Sequence, residues 1–531
     1  MSTVVETMYG AVRGKSHSGT GVRIFRGIPY AAPPTADLRW RPPEPPAPWT
    51  GVRDASEYGP IAIQNPPAST SLFADGGQPQ SEDCLHLNVW APLDTGTRAR
   101  PVMVWFHLGA YQFGSGSSPL FDGRRWAQEG VVLVTLNHRL SRTGFLAHPD
   151  LANEGAGTAG NYGLHDQLAA LRWVRDNIAG FGGDPGCVTI CGVSSGASSV
   201  ALLMAAPAAR GLFHRAIAES GGAFGPVAAT TGVGDAWQDL ESAVESGGAW
   251  SSAVGAPRLA ELRRMSAQAL RAASRPHPRA TTGIFDAARP IIDGKLLTAA
   301  PHAVFTGGAQ VPVPLLVGSA ADEDLAVFNY PRDLATFRTQ AKAEHGAASD
   351  AFLDLYPAET DEQAVAAGLR STGHRLFTWQ NWRWATLHNR AGHPVYYYRF
   401  AQPPPVPPGR YHEQRLPRPL GAFHGASLFS TFGGAADPAD WNWTARDVRW
   451  GATIRSAWVH FAQHGRPTAP GLPAWPEFDT AHPSAMILRA DGCVLDDVPE
   501  RTHLAYWDQW YDRRLKTPTP APARPRGNVQ G

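Results

Sequence analysis

Cysteine, net charge and long apolar runs are all scarce in this 531-residue chain, and each scarcity excludes something. The four cysteines are Cys84, Cys187, Cys191 and Cys493. Cys187 and Cys191 stand four apart in an apolar stretch that reads as a strand, which separates them by roughly 13 Å, too far for a disulfide. Histidine and cysteine never cluster at ligand spacing, so free buried thiols are expected and a metal site is not. The 47 Lys+Arg nearly balance the 46 Asp+Glu. A net charge of +1 supplies no long-range field for nucleic acid or an anionic membrane. No apolar run reaches the roughly 18 to 20 residues of a spanning helix. The opening stretch MSTVVETMYGAVRGK lacks the charged head, apolar core and cleavage site of a secretory signal. A soluble, cytoplasmic protein is the expectation.

What is present is a globular composition: 43% hydrophobic and 18% charged residues, with 55 Gly and 47 Pro to supply loops. Length alone would suggest about two to four domains, but no linker divides the chain before its end. The segments 101–108, 131–138 and 186–193 (PVMVWFHL, VVLVTLNH, GCVTICGV) read as buried strands. Between the last two, residues 166–181 repeat Leu168, Leu171, Val174 and Ile178 at helical spacing, with Gly180 as a stop. Further strands are expected at 311–318 and 394–400. Strand–helix–strand alternation implies an α/β fold, a mostly parallel sheet covered by helices on both faces. The proline-rich segments 32–48 and 401–410 read as an extended surface strip and a long loop. Residues 1–515 read as a single domain, and KTPTPAPARPRGNVQG (516–531) as a disordered tail.

The stretch CGVSSGASSV (191–200) contains Gly192-Val193-Ser194-Ser195-Gly196, a Gly-x-Ser-x-Gly window. Alone it is a weak signal. Its context strengthens it: the strand CVTIC precedes Ser194 and a helix-like ASSVALLMAAP follows. Strand–turn–helix lifts a serine to the top of a sheet, near the positive end of the helix. The N–H of Ser195 would then point at the oxyanion of a tetrahedral intermediate.

The chain resembles the type-B carboxylesterases, the α/β-hydrolase family that includes cholinesterases and bacterial p-nitrobenzyl esterases. The likeness runs from about residue 8 to about 512 and rests on FRGIPYAAPP (25–34), SEDCLHLNVWAP (81–92), NYGLHDQLAALRWVRDNIAGFGGDP (161–185), RPIIDG (289–294) and GLPAWPEF (471–478). It implies an α/β-hydrolase fold with insertions forming a gorge, and a cofactor-independent serine esterase for a small-molecule ester. A serine hydroxyl needs a base to take its proton, and a carboxylate to orient that base. The chain order Ser, acid, His and the family's motifs place these at Ser194, Glu323 in GSAADED (318–324) and His424 in GAFHGA (421–426). Asp322 and Asp324 are rival acids. His86 and His138, where the family has tyrosine, read as packing or surface residues. Glu82, Asp83, Arg39 and Arg139 read as structural ion pairs.

The resemblance breaks at three places. The oxyanion loop reads His107-Leu108-Gly109-Ala110 where the family has His-Gly-Gly-Gly. Leucine resists torsions that glycine allows, and the methyl of Ala110 takes space near the acyl carbon. Gly109, Ala110 and Ser195 remain the expected oxyanion donors. Val193 and Ser427 stand where the family carries glutamates, which implies that a buried carboxylate network has been dismantled and that cationic esters are not favoured. Tyr111, Phe113 and the aromatics of FTWQNWRW (377–384) are candidates for the gorge wall, and imply a neutral, apolar or aromatic substrate. Besides ester hydrolysis, carbamate or amide cleavage, acyl transfer to another acceptor, and a non-catalytic scaffold stand as alternative readings. Monomer and homodimer are equally compatible with the sequence.

Overall fold

A strand buried on both faces must be apolar along its whole length, and the short apolar runs meet that demand. The structure is a computed structural model that describes residues 3–17, 19–65, 67, 71–73, 77–94, 98–154, 159–227, 236–274, 288–323, 330–406, 420–433 and 441–516. Among these, eleven strands form one sheet. They are β1 (Lys15–His17), β2 (Val22–Pro29), β3 (His86–Pro92), β4 (Arg100–Phe106), β5 (Val132–Leu136), β6 (Gly183–Val193), β7 (Arg215–Glu219), β8 (Leu315–Ala320), β9 (Val395–Phe400), β10 (Ser484–Leu488) and β11 (Val494–Asp497). Their spatial order is β11-β10-β9-β8-β7-β6-β4-β5-β3-β2-β1. The run from β10 to β5 is parallel. Antiparallel pairs close both edges.

The helices that matter for the site are α1 (Tyr162–Asn177), α2 (Ser195–Ala205), α3 (Asp361–Gly373), α4 (Trp379–Arg390), α5 (Ala426–Thr431), α6 (Ala445–His464) and α7 (Arg501–Lys516). Side chains alternate along each strand, so the sheet feeds two cores. Val102, Val104 and Phe106 pack with Leu168, Val174 and Val200 of α1 and α2. Met103 and Trp105 pack with Ile454 and Trp458 of α6 and with Leu428 of α5. Helix α1 is shorter at its C-terminus than the periodicity predicts. It ends at Asn177, a 3-10 turn spans Ile178–Phe181, and the left-handed stop is Gly182 (φ 89) instead of Gly180.

The proline-rich strip 32–48 is extended apart from a short 3-10 turn at Ala36–Leu38, and it packs by burying Arg39 and Trp40. Arg39 pairs with Glu82 through two bonds of 2.7 and 2.6 Å. Arg139 is also structural, but its partner is Asp166, bound at 2.9 and 2.7 Å; Asp83 lies 4.0 Å from His86. The motif NYGLHD therefore supplies an ion-pair member that the sequence reading did not single out. All four cysteines are free thiols. Among the described residues no helix is long and apolar enough to cross a membrane, and no group of three or more potential ligands is arranged for a metal. Residues 407–410 of the second proline-rich segment and the tail from 517 lie outside the described residues.

Candidate active site

Strand β6 ends at Val193 and α2 begins at Ser195, so Ser194 alone makes the turn, at φ 58 and ψ −122. Such torsions are costly for a residue with a side chain and persist only where the surroundings impose them. Here the Ser194 N–H donates to the Glu219 carbonyl at 2.9 Å, which ties the turn to the tip of β7. A Cβ on Gly196 would come within 2.1 Å of the Phe106 carbonyl, so that position has room only for glycine. Ser194 is half-buried. Ser195 is the first residue of α2, where backbone N–H groups have no helical acceptor and the dipole is positive.

Glu323 follows the tip of β8 by three residues and folds back on it, accepting from the Ala320 N–H at 2.7 Å through Oε1. Its other oxygen, Oε2, accepts from His424 Nδ1 at 2.6 Å. Both side chains are buried. His424 Nε2 is buried too, and has no hydrogen-bond partner among the described residues. The Phe377 ring lies on the imidazole, centroids 4.1 Å apart. Asp322 plays a different part, since its Oδ2 accepts from the Ala422 N–H at 2.7 Å and steadies the loop before His424. Asp324 lies outside the described residues. Ser220, missed in the sequence, clamps the neighbouring strand tips. Its N–H donates to the Gly318 carbonyl at 2.8 Å and its hydroxyl accepts from Ala320 at 3.2 Å.

In the oxyanion loop Leu108 escapes the strain expected of it. It is buried against the α6 side of the sheet, and the left-handed torsions fall on Gly109 (φ 124), Ala110 (φ 54) and Tyr111 (φ 62). A Cβ on Gly109 would lie 1.9 Å from the Phe113 carbonyl. Among the described residues, the N–H groups of Gly109, Ala110 and Ser195 have no acceptor. Beneath the loop, His107 stacks on His138 at 4.5 Å. His107 Nδ1 donates to the Leu108 carbonyl at 2.8 Å. Burial pushes His107 down to about 4 and His138 well below its ordinary value. Tyr111 belongs to the core rather than to a gorge wall, its hydroxyl accepting from Ser199 at 3.3 Å; Phe113 is half-buried.

The aromatic segment also sorts differently. A single π turn at His374–Thr378 separates α3 from α4. Trp379 stacks on Tyr511, Trp384 packs on Phe224, and Trp382 donates to Asp508. Phe377 is the member that meets His424. The polar residues between them hold the loop after β7: Gln380 Oε1 accepts from the Phe224 N–H at 2.7 Å and Asn381 donates to the Gly221 carbonyl at 2.7 Å.

Val193 and Ser427 imply that the buried carboxylate network behind the triad has been dismantled. One buried carboxyl nonetheless stands at this end of the sheet. Glu219 ends β7, is 2% exposed, and stands in register beside Val193. Trp458 Nε1 donates to its Oε1 at 3.4 Å, and the Ser427 hydroxyl faces it. Burial pushes this carboxyl up to about 7, against the smaller opposing pull of Ser427 and Trp458. A glutamate at 193 would set two buried carboxyls side by side, where like charges disfavour ionisation of both.

The chain matches the model of the carboxylesterase family over residues 1–507. It is 37% identical over 509 residues to a para-nitrobenzyl esterase of Bacillus subtilis, covering 93% of this chain and 96% of the relative. A fumonisin B1 esterase of Sphingopyxis macrogoltabida is 36% identical over 492 residues, covering 90% of this chain and 84% of the relative. A solved PNB esterase structure superposes with a TM-score of 0.80 at 32% identity, covering 96% of this chain and 99% of that one.

Proposed function

The chain belongs to the carboxylesterase family, an ester-hydrolysing serine enzyme of the α/β-hydrolase fold, and from that premise we propose that Ser194 is its nucleophile, His424 its general base and Glu323 the carboxylate that orients the base. The observation that carries this reading is the buried His424. One ring nitrogen is committed to Glu323 at 2.6 Å and the other is unpartnered. With Nδ1 donating to the carboxylate, Nε2 presents a lone pair for the Ser194 hydroxyl proton.

Ser194 Oγ attacks the ester carbonyl as Nε2 takes its proton. Glu323 stabilises the imidazolium so formed. The N–H groups of Gly109, Ala110 and Ser195 take the charge on the carbonyl oxygen. Collapse of the tetrahedral intermediate returns the proton to the leaving alcohol and leaves an acyl-Ser194 ester. Water, activated by the same histidine, then releases the acid. The Phe377 ring on His424, and valine in place of a carboxylate at 193, support a neutral, apolar or aromatic ester as substrate. A p-nitrobenzyl esterase among the relatives points the same way. Four free thiols, two of them buried, fit a reducing, cytoplasmic setting.

The test is p-nitrophenol release from acetyl, butyryl and octanoyl esters by wild type and Ser194→Ala. The expected result is turnover by the first and a loss of about 10⁵-fold or more in the second, the scale of removing a covalent nucleophile. Comparable turnover in Ser194→Ala would overturn the assignment.

A further inference from the structure

Glu219 carries a buried carboxyl at the catalytic end of the sheet, and none of the ester-cleavage steps uses it. Ile217 faces the α6 side of the sheet, so Glu219, two residues on, faces it too. There Cys191 of β6 and Tyr398 of β9 lie in its field, and Ser427 of α5 and Trp458 of α6 are its hydrogen-bonding neighbours. The first two are titratable, but burial holds both the thiol and the phenol far up, so they stay neutral near pH 7. Among the described residues no basic side chain forms an ion pair with Glu219, and its Oε2 is buried without a hydrogen-bond partner.

The same residue touches the segment of each member of the proposed catalytic pair. Its backbone carbonyl holds the Ser194 N–H at 2.9 Å. Its side chain faces Ser427, three residues beyond His424 on the helix that the histidine loop feeds. Tyr398 lies in the field of both Glu219 and Glu323. We propose that Glu219 is a positioning residue that switches the triad's electrostatics. As the acid it is electrically silent; as the carboxylate it favours the imidazolium that His424 becomes on taking the Ser194 proton. A buried charge in a low-dielectric surround acts over several ångströms without contact. The proposal rests on the Ser194–His424–Glu323 reading.

Burial lifts the Glu219 carboxyl to about 7, so its ionisation falls inside the pH range of an ordinary assay. Glutamine keeps the shape and the carbonyl acceptor for Trp458 but cannot ionise, which separates charge from scaffolding. We would measure kcat/KM and kcat on p-nitrophenyl butyrate from about pH 5.5 to about pH 9 for wild type, Glu219→Gln and Ser194→Ala. The expected result is that Glu219→Gln runs within about twofold of wild type near pH 6 and about tenfold below it near pH 8. The two proteins differ only in whether residue 219 can ionise, so the pH dependence of their ratio reports that ionisation. A ratio that is constant across pH would assign Glu219 a structural role and overturn the proposal.

A second readout does not depend on turnover. A carboxyl whose folded pKa lies above its unfolded value, here about 7 against 4.5, binds its proton more tightly when folded. Stability therefore falls as pH rises through that interval, and glutamine removes the loss. Glu219→Gln should melt with wild type near pH 5 and a few degrees above it near pH 8; a Tm difference independent of pH would also overturn the proposal. Turnover persisting in Ser194→Ala would sink the triad and this proposal together. Its loss there, beside a flat Glu219→Gln ratio, would sink this proposal alone.

Discussion

The nucleophile turn and the oxyanion loop meet the same steric demand with different residues. Each bends the chain sharply so that backbone N–H groups stand free. The turn concentrates the strain on one residue, Ser194 at φ 58, and flanks it with glycines that let α2 approach β4. The loop keeps a single glycine, Gly109, and passes left-handed torsions on to Ala110 and Tyr111. A left-handed residue with a side chain costs about 1 to 2 kcal/mol. Tyr111 bears it because its ring is locked in the core and its hydroxyl is bonded to Ser199. Glycine is therefore required where a Cβ would strike backbone, at Gly109 and Gly196, and is replaceable where the only obstacle is torsional.

That distinction is tested hardest by adding one methyl group in each region. In Gly196→Ala the new Cβ faces the Phe106 carbonyl of a central strand at 2.1 Å, and neither strand nor helix can withdraw. Loss of soluble, folded protein is expected, read from expression yield and thermal melting. In Gly109→Ala the obstacle, the Phe113 carbonyl at 1.9 Å, lies in the loop itself. Here the fold should survive and the loop shift, at a cost of about 10² to 10³ in kcat, the scale of one oxyanion donor. Near-wild-type kinetics in Gly109→Ala would remove Gly109 from the set of donors. A well-folded Gly196→Ala would mean that the turn is as pliable as the loop.

A milder probe restores glycine where the loop has lost it. Leu108→Gly/Ala110→Gly opens the acyl side, and the octanoyl-to-acetyl ratio of kcat/KM should rise several-fold. Ala110→Gly alone relieves about 1 to 2 kcal/mol of torsional cost and loses about 0.4 to 1 kcal/mol to the freer unfolded chain, so a small net gain in stability is expected. An unchanged acyl preference in the double variant would show that the methyl of Ala110 does not bound the acyl pocket.

Sequence reading reached what is local and missed what depends on packing across the chain. The strands around the nucleophile are apolar runs, and the turn is a spaced motif, so both are legible in a window of about ten residues. Glu323 and His424 are proposed from family resemblance, since spacing alone does not choose among 19 histidines. Glu219 was not legible. The strand RAIAE is not among the runs the sequence singles out, and Trp458, which helps bury its carboxyl, arrives more than two hundred residues later. The partner of Arg139 was missed for the same reason, because Asp166 sits on a helix whose other side chains are read for their apolar period. The π turn before α4 decided which aromatic of FTWQNWRW reaches His424, and a helix read at 3.6 residues per turn does not foresee that shift of face.

The two regions also differ in what lies beneath them, and this gives the smallest of the expected effects. Under the turn is a carboxyl raised by burial; under the loop are two imidazoles lowered by it. The signs are opposite. His107 titrates at about 4 in the fold against an ordinary value of 6.5, so its neutral form is the folded one. That stability is fully present above about pH 6.5 and is lost as pH falls toward 4, with an upper bound of about 3 kcal/mol. His138, stacked on it, adds to the same acid sensitivity. His138→Phe keeps a ring in the stack and removes one of the two titrations. Its Tm should match wild type within a degree or two near pH 7 and fall less on acidification to about pH 5. Parallel melting curves at both pH values would place the acid sensitivity elsewhere, and would leave the loop's course to the Gly109 contact and the buried Tyr111 alone.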